Sequence, residues 1–160
     1  MMPQASYKIV IANSKKEFLE AKSLTNDYLK WLNLDLAFQN IEYELKEFEN
    51  IYHPSKGGLF LLAYKNNNLA GGVGLKALSN NSAEIKRLFV YKEFRGEQIG
   101  YILLKRLIQE AREMGYQNLK LDTLTYMKSA IRLYSKLGFS LTSPYYNNPL
   151  KNTLYFELKL

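Results

Sequence analysis

Two hydrophobic periods alternate along the chain, and each switch between them marks an element. "YKIVIA" (7–12) is rich in β-branched residues and predicts a first strand. Ser14 follows, with Glu17 three residues on, the signature of a capping box. Helical spacing through Phe18, Leu19, Tyr28, Leu29 and Leu32 then predicts a helix broken near Asn26, and a second helix is predicted over 36–50. "HPSKGG" (53–58) reads as a loop from its Pro and Gly. Apolar runs at 59–64 and 69–78 flank the asparagines 66–68 and predict a hairpin, and "SNNS" (79–82) turns the chain into another strand over 83–90. Apolar positions at 99, 102, 103, 107, 108, 111 and 114 give a strong 3.6-residue period, so a helix is predicted over 98–114, stopped by Gly115. A short strand at 119–123, a helix at 128–137 ended by Gly138, and strands at 139–141 and 153–160 complete the pattern, with the loop "SPYYNNP" (143–149) between the last two. The order β-α-α-β-β-β-α-β-α-β-β predicts one α/β domain over residues 1–160 with a mixed sheet.

Composition narrows the chemistry. The chain has no cysteine, which removes disulfides, thiolate metal sites and a cysteine acyl-enzyme. Its single histidine, His53, precedes Pro54 in a loop and reads as a surface residue, so no metal site is expected. No G-x-S-x-G turn is present to support a serine hydrolase. No apolar run approaches the roughly 20 residues of a membrane span, and no signal peptide is evident, so a cytoplasmic setting is expected. The net charge of +7 is uneven: residues 1–80 carry 9 Lys/Arg against 8 Asp/Glu, and residues 81–160 carry 13 against 7. A basic half suits an anionic partner. No block of consecutive basic residues argues for nucleic acid.

The segment "FRGEQIG" (94–100) is the candidate anion site. Arg95 supplies a cation, Gly96 and Gly100 admit close backbone approach, and an apolar helix follows. Free N–H groups and the helix dipole favour negative charge at such a terminus. G-x-x-x-x-G-K-[ST] and G-x-G-x-x-G are both absent, and "GGVG" (71–74) falls inside a strand pattern. Taken alone, the loop reads equally as an ordinary strand-to-helix turn.

Residues 84–139 resemble the GNAT family of acetyl-CoA-dependent N-acetyltransferases, with a weaker likeness across 58–142. Two motifs carry the likeness. One is the loop 95–100, usually R-G-x-G-x-G in the family. The other is A-x-x-L-Y-x-K-x-G-F, here Ala130, Leu133, Tyr134, Lys136, Gly138 and Phe139. The resemblance implies a single domain with a mixed, mostly antiparallel sheet flanked by helices on both faces. It implies acetyl-CoA as co-substrate and no metal. The pyrophosphate would meet Arg95, Gly96, Glu97, Gln98, Ile99, Gly100 and Tyr101. Pantetheine would pair with free backbone groups of Leu88, Phe89 and Val90, like an added strand. Met127 and Lys136 would also approach the cofactor. Gln98 departs from the family's middle glycine, and because a residue entering a right-handed helix needs no positive φ, the change is expected to be tolerated. Met127 stands where many members carry Asn, which removes one polar contact.

The resemblance also implies roles in chemistry. An amine of pKa ~10.4 is neutral in on the order of one molecule per thousand near pH 7, so a base helps. Glu84 matches the glutamate base of the histone-acetyltransferase branch. Strand alternation puts it on the side of Lys86 and Leu88 unless a bulge intervenes, and it reads also as a surface glutamate paired with Lys86. Tyr134 would protonate the departing thiolate, or serve as a core aromatic. Tyr52, Tyr145, Tyr146 and Asn148 are candidates to line the acceptor site. The expected activity is direct acetyl transfer to a primary amine of a small molecule or peptide. A non-catalytic acetyl-CoA-binding module and a basic nucleic-acid binder are the alternatives. The expected partners are acetyl-CoA and an amine, with a homodimer left open and neither nucleic acid nor membrane.

Overall fold

The structure is a computed structural model and describes residues 7–160. Strand β1 (Tyr7–Ile11) leads into helix α1 (Lys15–Leu32). The capping box forms: the Ser14 hydroxyl accepts from the Glu17 N–H, and the Glu17 carboxylate accepts from the Ser14 N–H, both at 3.1 Å. The expected break near Asn26 is absent. The helix runs on to a left-handed Asn33 (φ 52°), and the buried Thr25 satisfies its hydroxyl on the Ala21 carbonyl at 2.9 Å.

The helix predicted over 36–50 is instead three short pieces: a 3₁₀ turn Ala37–Gln39, α2 (Ile41–Lys46) and α3 (Phe48–Ile51). Asn40, at φ 58°, breaks the first junction. The breaks let each piece face its own target: Gln39 and Glu44 reach a buried arginine on the sheet, while Phe48 enters the core.

The hairpin of β2 (Leu59–Lys65) and β3 (Asn68–Ala77) turns on Asn66 and Asn67, both at positive φ (49° and 68°), as a two-residue hairpin loop of type I′ requires. Then come β4 (Ser82–Val90), a 3₁₀ turn Lys92–Phe94, α4 (Ile99–Glu113), β5 (Asn118–Leu124), α5 (Lys128–Lys136), β6 (Ser140–Thr142) and β7 (Thr153–Lys159). The seven strands form one sheet in the order β1-β2-β3-β4-β5-β7-β6. Every pairing is antiparallel except β4 with β5. The α/β fold is therefore the expected one, with a mixed and mostly antiparallel sheet.

Each face of the sheet carries its own core. Leu103, Leu104 and Leu107 of α4 pack on Leu59, Leu61 and Leu75 on one side, with Tyr134 and Phe139 in the same cluster. On the other side Phe18 and Leu24 of α1 meet Phe48, Tyr52, Phe60 and Leu62. Two glycines of "GGVG", Gly72 and Gly74, serve that second core. A Cβ on Gly74 would lie 2.6 Å from the Tyr52 ring. No helix among the described residues is long and apolar enough to cross a membrane.

Two irregularities of β4 open an edge within the sheet and exchange its faces. Its pairing with β5 ends at Glu84–Lys120, after only three residue pairs, and beyond that point the strands part. Against β3, Lys86 lies opposite Gly74 and Phe89 opposite Gly72, so β4 carries one extra residue there. This is a β-bulge, with Arg87 in the left-handed region (φ 61°). The bulge overturns the expected alternation. Leu88 and Val90 pack on the same core as Ala83 and Ile85, while Phe89 joins the opposite one. Leu88 therefore does not share a face with Glu84 and Lys86.

Candidate active site

A cleft of about 500 Å³ opens where β4 and β5 part. Leu88, Phe89 and Val90 form one wall, and Asp122, Thr123 and Leu124 the other. Gly100, Met127, Leu133 and Tyr134 line it from the α4 and α5 side. Tyr28, Trp31, Leu34, Leu36 and Gln39 line it from the α1 side. The cleft thus reaches both faces of the sheet. Leu88 to Val90 lie past the last β4–β5 pair, so their β5-facing edge is left without a neighbouring strand.

The loop 95–100 sits at the cleft mouth. Arg95 donates through Nε to the Val90 carbonyl at 3.0 Å, and its guanidinium lies 5.3 Å from the Trp31 ring centre and 5.7 Å from that of Phe89. Gly96 has φ 85°. Gln98 is left-handed as well (φ 64°, ψ 20°), which corrects the expectation that no positive φ is needed there. The helix starts one residue later, at Ile99, so Gln98 is the residue that turns the chain into it. Among the described residues no side chain caps α4, so the N–H groups of its first turn have no side-chain partner. Glu97 would oppose an anion, but its carboxylate pairs with Lys65 at the end of β2. Ile99 points into the core. Tyr101 lies beneath two ammonium groups, Lys136 at 4.9 Å and Lys105 at 5.8 Å from its ring centre. Met127 opens α5, and its sulfur accepts the Thr123 hydroxyl at 3.6 Å.

Tyr134 is packed between Phe139 and Phe156, with ring centres 5.9 and 6.1 Å away, and borders the cleft. Burial pushes its phenol above the ordinary tyrosine range, so it holds its proton.

Glu84 is buried and is not on the cleft wall. Its carboxylate accepts the Tyr145 hydroxyl at 2.6 Å and lies 3.6 Å from the Lys86 ammonium. Asp122, unremarked in the sequence, does line the cleft. It accepts hydrogen bonds at Oδ2 from the Tyr146 hydroxyl and, at 3.5 Å, from the Asn148 amide. That amide also donates to the Tyr146 oxygen at 3.0 Å. Burial foremost, then the Glu84 charge, raise the Asp122 carboxyl above the usual range, although the Tyr146 hydrogen bond works the other way. Burial foremost, then Arg87, lower the Lys86 ammonium.

Arg87 is saturated. It meets Glu44 through Nε and Nη2, both at 2.9 Å, and gives Nη1 to Gln39 at 3.0 Å. Burial acts against the Glu44 charge, yet the Arg87 hydrogen bonds and charge outweigh it and hold the carboxyl below its usual range.

The four candidate acceptor residues separate. Tyr52 is 0% exposed, wedged between Phe48 and Phe60 with ring centres 4.6 and 5.2 Å away. It is a core residue and lines nothing. Tyr145 and Tyr146 donate to Glu84 and Asp122, and only Asn148 of the four borders the cleft. His53 is a local brace: Nδ1 accepts from the Ser55 N–H at 3.1 Å, and the ring stacks on Phe18. Tyr28, Trp31, Gln39, Arg87 and Asp122 went unnoticed in the sequence. Asp122 had one signal, its place opposite in parity to the core residues Leu119 and Leu121, but that marks any solvent-side residue.

Comparison with known proteins agrees with this geometry. The family model described as "Acetyltransferase (GNAT) family" matches residues 25–139. An uncharacterized N-acetyltransferase of Schizosaccharomyces pombe is 33% identical, covering 100% of this chain and 99% of its own. A GNAT-family acetyltransferase structure from Staphylococcus aureus Mu50 superposes with a TM-score of 0.78 at 26% identity, covering 96% of this chain and 99% of that one. The fold is shared, with a TM-score of 0.68 at 19% identity over 96% of this chain and 93% of the other, by a Salmonella typhimurium protein solved with its cofactor acetyl-CoA. The chain belongs to the GNAT family, the acetyl-CoA-dependent N-acetyltransferases.

Proposed function

We propose that the protein transfers an acetyl group from acetyl-CoA directly to a primary amine of a small molecule or peptide, with both substrates bound at once. The observation that carries this reading is the cleft between β4 and β5, open to both faces of the sheet. Two substrates are able to enter it from opposite sides and meet in the gap.

The residues fit acetyl-CoA. The uncapped start of α4 suits a pyrophosphate, and Arg95 stands beside it. The unpaired edge of Leu88, Phe89 and Val90 suits the pantetheine amides. Gly96, Glu97, Gln98, Ile99, Gly100 and Tyr101 form the loop and first turn, Lys136 offers its ammonium above Tyr101, and Met127 gives an apolar contact at the start of α5. Bound there, acetyl-CoA supplies an acyl group already activated as a thioester.

Tyr134 keeps a phenolic proton at the cleft for the sulfur that departs. A carboxylate of the Glu84–Asp122 pair takes a proton from the amine. A positioned base of this kind contributes about 10²–10⁴ in rate. The chain has no cysteine to carry the acyl group, so transfer is direct.

The test is release of free thiol from acetyl-CoA across a panel of amines. Turnover is expected with at least one amine. Tyr134→Phe is expected to lower that turnover while leaving acetyl-CoA binding nearly intact. Undiminished turnover would reduce Tyr134 to a packing residue. Acetyl-CoA binding with no thiol release on any amine would favour a non-catalytic binding module.

A further inference from the structure

Resting on the acetyltransferase reading, we infer that Asp122 is the carboxylate that seats the acceptor's ammonium group and takes its proton, and that the acceptor is a primary amine with an apolar body. Among the described residues that line the cleft, Asp122 is the sole carboxylate. Its Oδ2 is held by Tyr146 and Asn148, which fixes the group's orientation and leaves Oδ1 without a protein donor among the described residues. Glu84 is spent on Tyr145 and Lys86, behind the wall.

The surroundings of Asp122 come from every side. Glu84, Lys86 and Arg87 face it from β4, Tyr146 from the loop, and Tyr155 sits opposite it on β7. Its charge is also felt at Tyr28 of α1 and at Tyr134 of α5. The proton acceptor and the proton donor therefore flank one gap.

The cleft also offers room for an apolar body. Tyr28, Trp31, Leu34, Leu36, Tyr126 and Leu150 line it, beside the polar Gln39, Lys128 and Asn148. A hydrocarbon body set against the aromatic and leucine side chains leaves water while its ammonium stays on Asp122.

The step balances. Of the three protons on the acceptor's ammonium, one goes to Asp122. The freed lone pair forms the N–C bond to the acetyl carbon as the thioester C–S bond breaks. A second proton ends on the departing sulfur as the thiol, by way of Tyr134, and the third stays on the amide nitrogen. Asp122 then returns its proton to water.

The matched probes are 2-phenylethylamine and ethylamine, which share a primary ammonium and differ by an apolar ring. The parent protein is expected to bind and acetylate 2-phenylethylamine in preference to ethylamine, and its kcat/KM is expected to fall on the acid side with a midpoint above the ordinary aspartate range. Asp122→Asn is expected to lose about 10²–10⁴-fold in kcat/KM at pH 7 and to recover as the pH rises towards the amine's own pKa. Glu84→Gln is expected to lose far less and to move the acid limb to lower pH, because it removes a negative charge that raises Asp122. A melting-temperature rise with acetyl-CoA in each variant checks that the fold and the cofactor site survive. Should Asp122→Asn fail to fold, the parent's acid limb and its shift in Glu84→Gln still decide. The inference is overturned by an Asp122→Asn profile that overlays the parent, by an acid limb that Glu84→Gln leaves in place, by a preference for ethylamine, or by a parent that neither binds nor acetylates 2-phenylethylamine. Any of these alongside a preserved acetyl-CoA shift and turnover on another amine leaves the acetyltransferase reading standing.

Discussion

Gln98 holds a conformation that glycine adopts freely and an L side chain does not. At φ 64° it bears a cost of about 1–2 kcal/mol relative to the right-handed region. Glycine in its place loses about 0.5–1 kcal/mol through the freer unfolded chain. The first term is the larger, so Gln98→Gly is expected to raise stability by up to about 1.5 kcal/mol in urea denaturation, with acetyl-CoA affinity unchanged or higher. A destabilised variant would show that the glutamine side chain makes a contact worth more than the strain. The reading of Gln98 from sequence failed by one position. The 3.6-residue period finds the helix but not the residue at which it begins, and at the first turn that residue decides the sign of φ.

Pairs and runs of residues were legible where local chemistry decides them. The capping box at Ser14, the asparagine hairpin and the period of α4 all formed as read. The three short pieces over 37–51 and the bulge in β4 were not legible, because each exists for the sake of the other. Asn40 breaks the helix so that Glu44 of α2 reaches Arg87, and Arg87 leaves its strand's alternation to be reached. Glu44→Gln is expected to cost about 3–5 kcal/mol, the penalty for leaving a buried arginine without its counter-charge. Its pH dependence has a definite sign. The folded-state pKa of Glu44 is depressed, so the pair's stabilisation is present above the unfolded carboxylate value of about 4.3 and is lost as the pH falls through the lower, folded value. Denaturation across pH 2 to 7 is the measurement. The parent should lose stability more steeply than Glu44→Gln over about that acidic range. The same logic explains why Asp122 was hidden. Its strand was read correctly, but only the parallel neighbour β4 turns a solvent-side aspartate into a cleft residue.

Across the whole molecule, the cleft between β4 and β5 joins the two sheet faces, and the proposed acetyl-CoA site lies along it. Acetyl-CoA at 100 times its dissociation constant is expected to add about 2.7 kcal/mol to stability. For a domain of this size that is a rise of roughly 5–11 °C in melting temperature. Gly100→Glu should abolish the rise by setting bulk and negative charge at the start of α4, and an unchanged shift would remove the loop from the cofactor site. The sheet order has a consequence for how the protein is made. β7 lies between β5 and β6, and β6 pairs with β7 alone. On the ribosome β6 emerges without a neighbour and waits for residues 153–159. Tyr145 and Tyr146, which hold Glu84 and Asp122, belong to the segment that waits with it. β4, the loop 95–100 and α4 are all synthesised earlier. A nascent chain therefore carries the proposed pyrophosphate loop well before it carries the two tyrosines that hold Glu84 and Asp122.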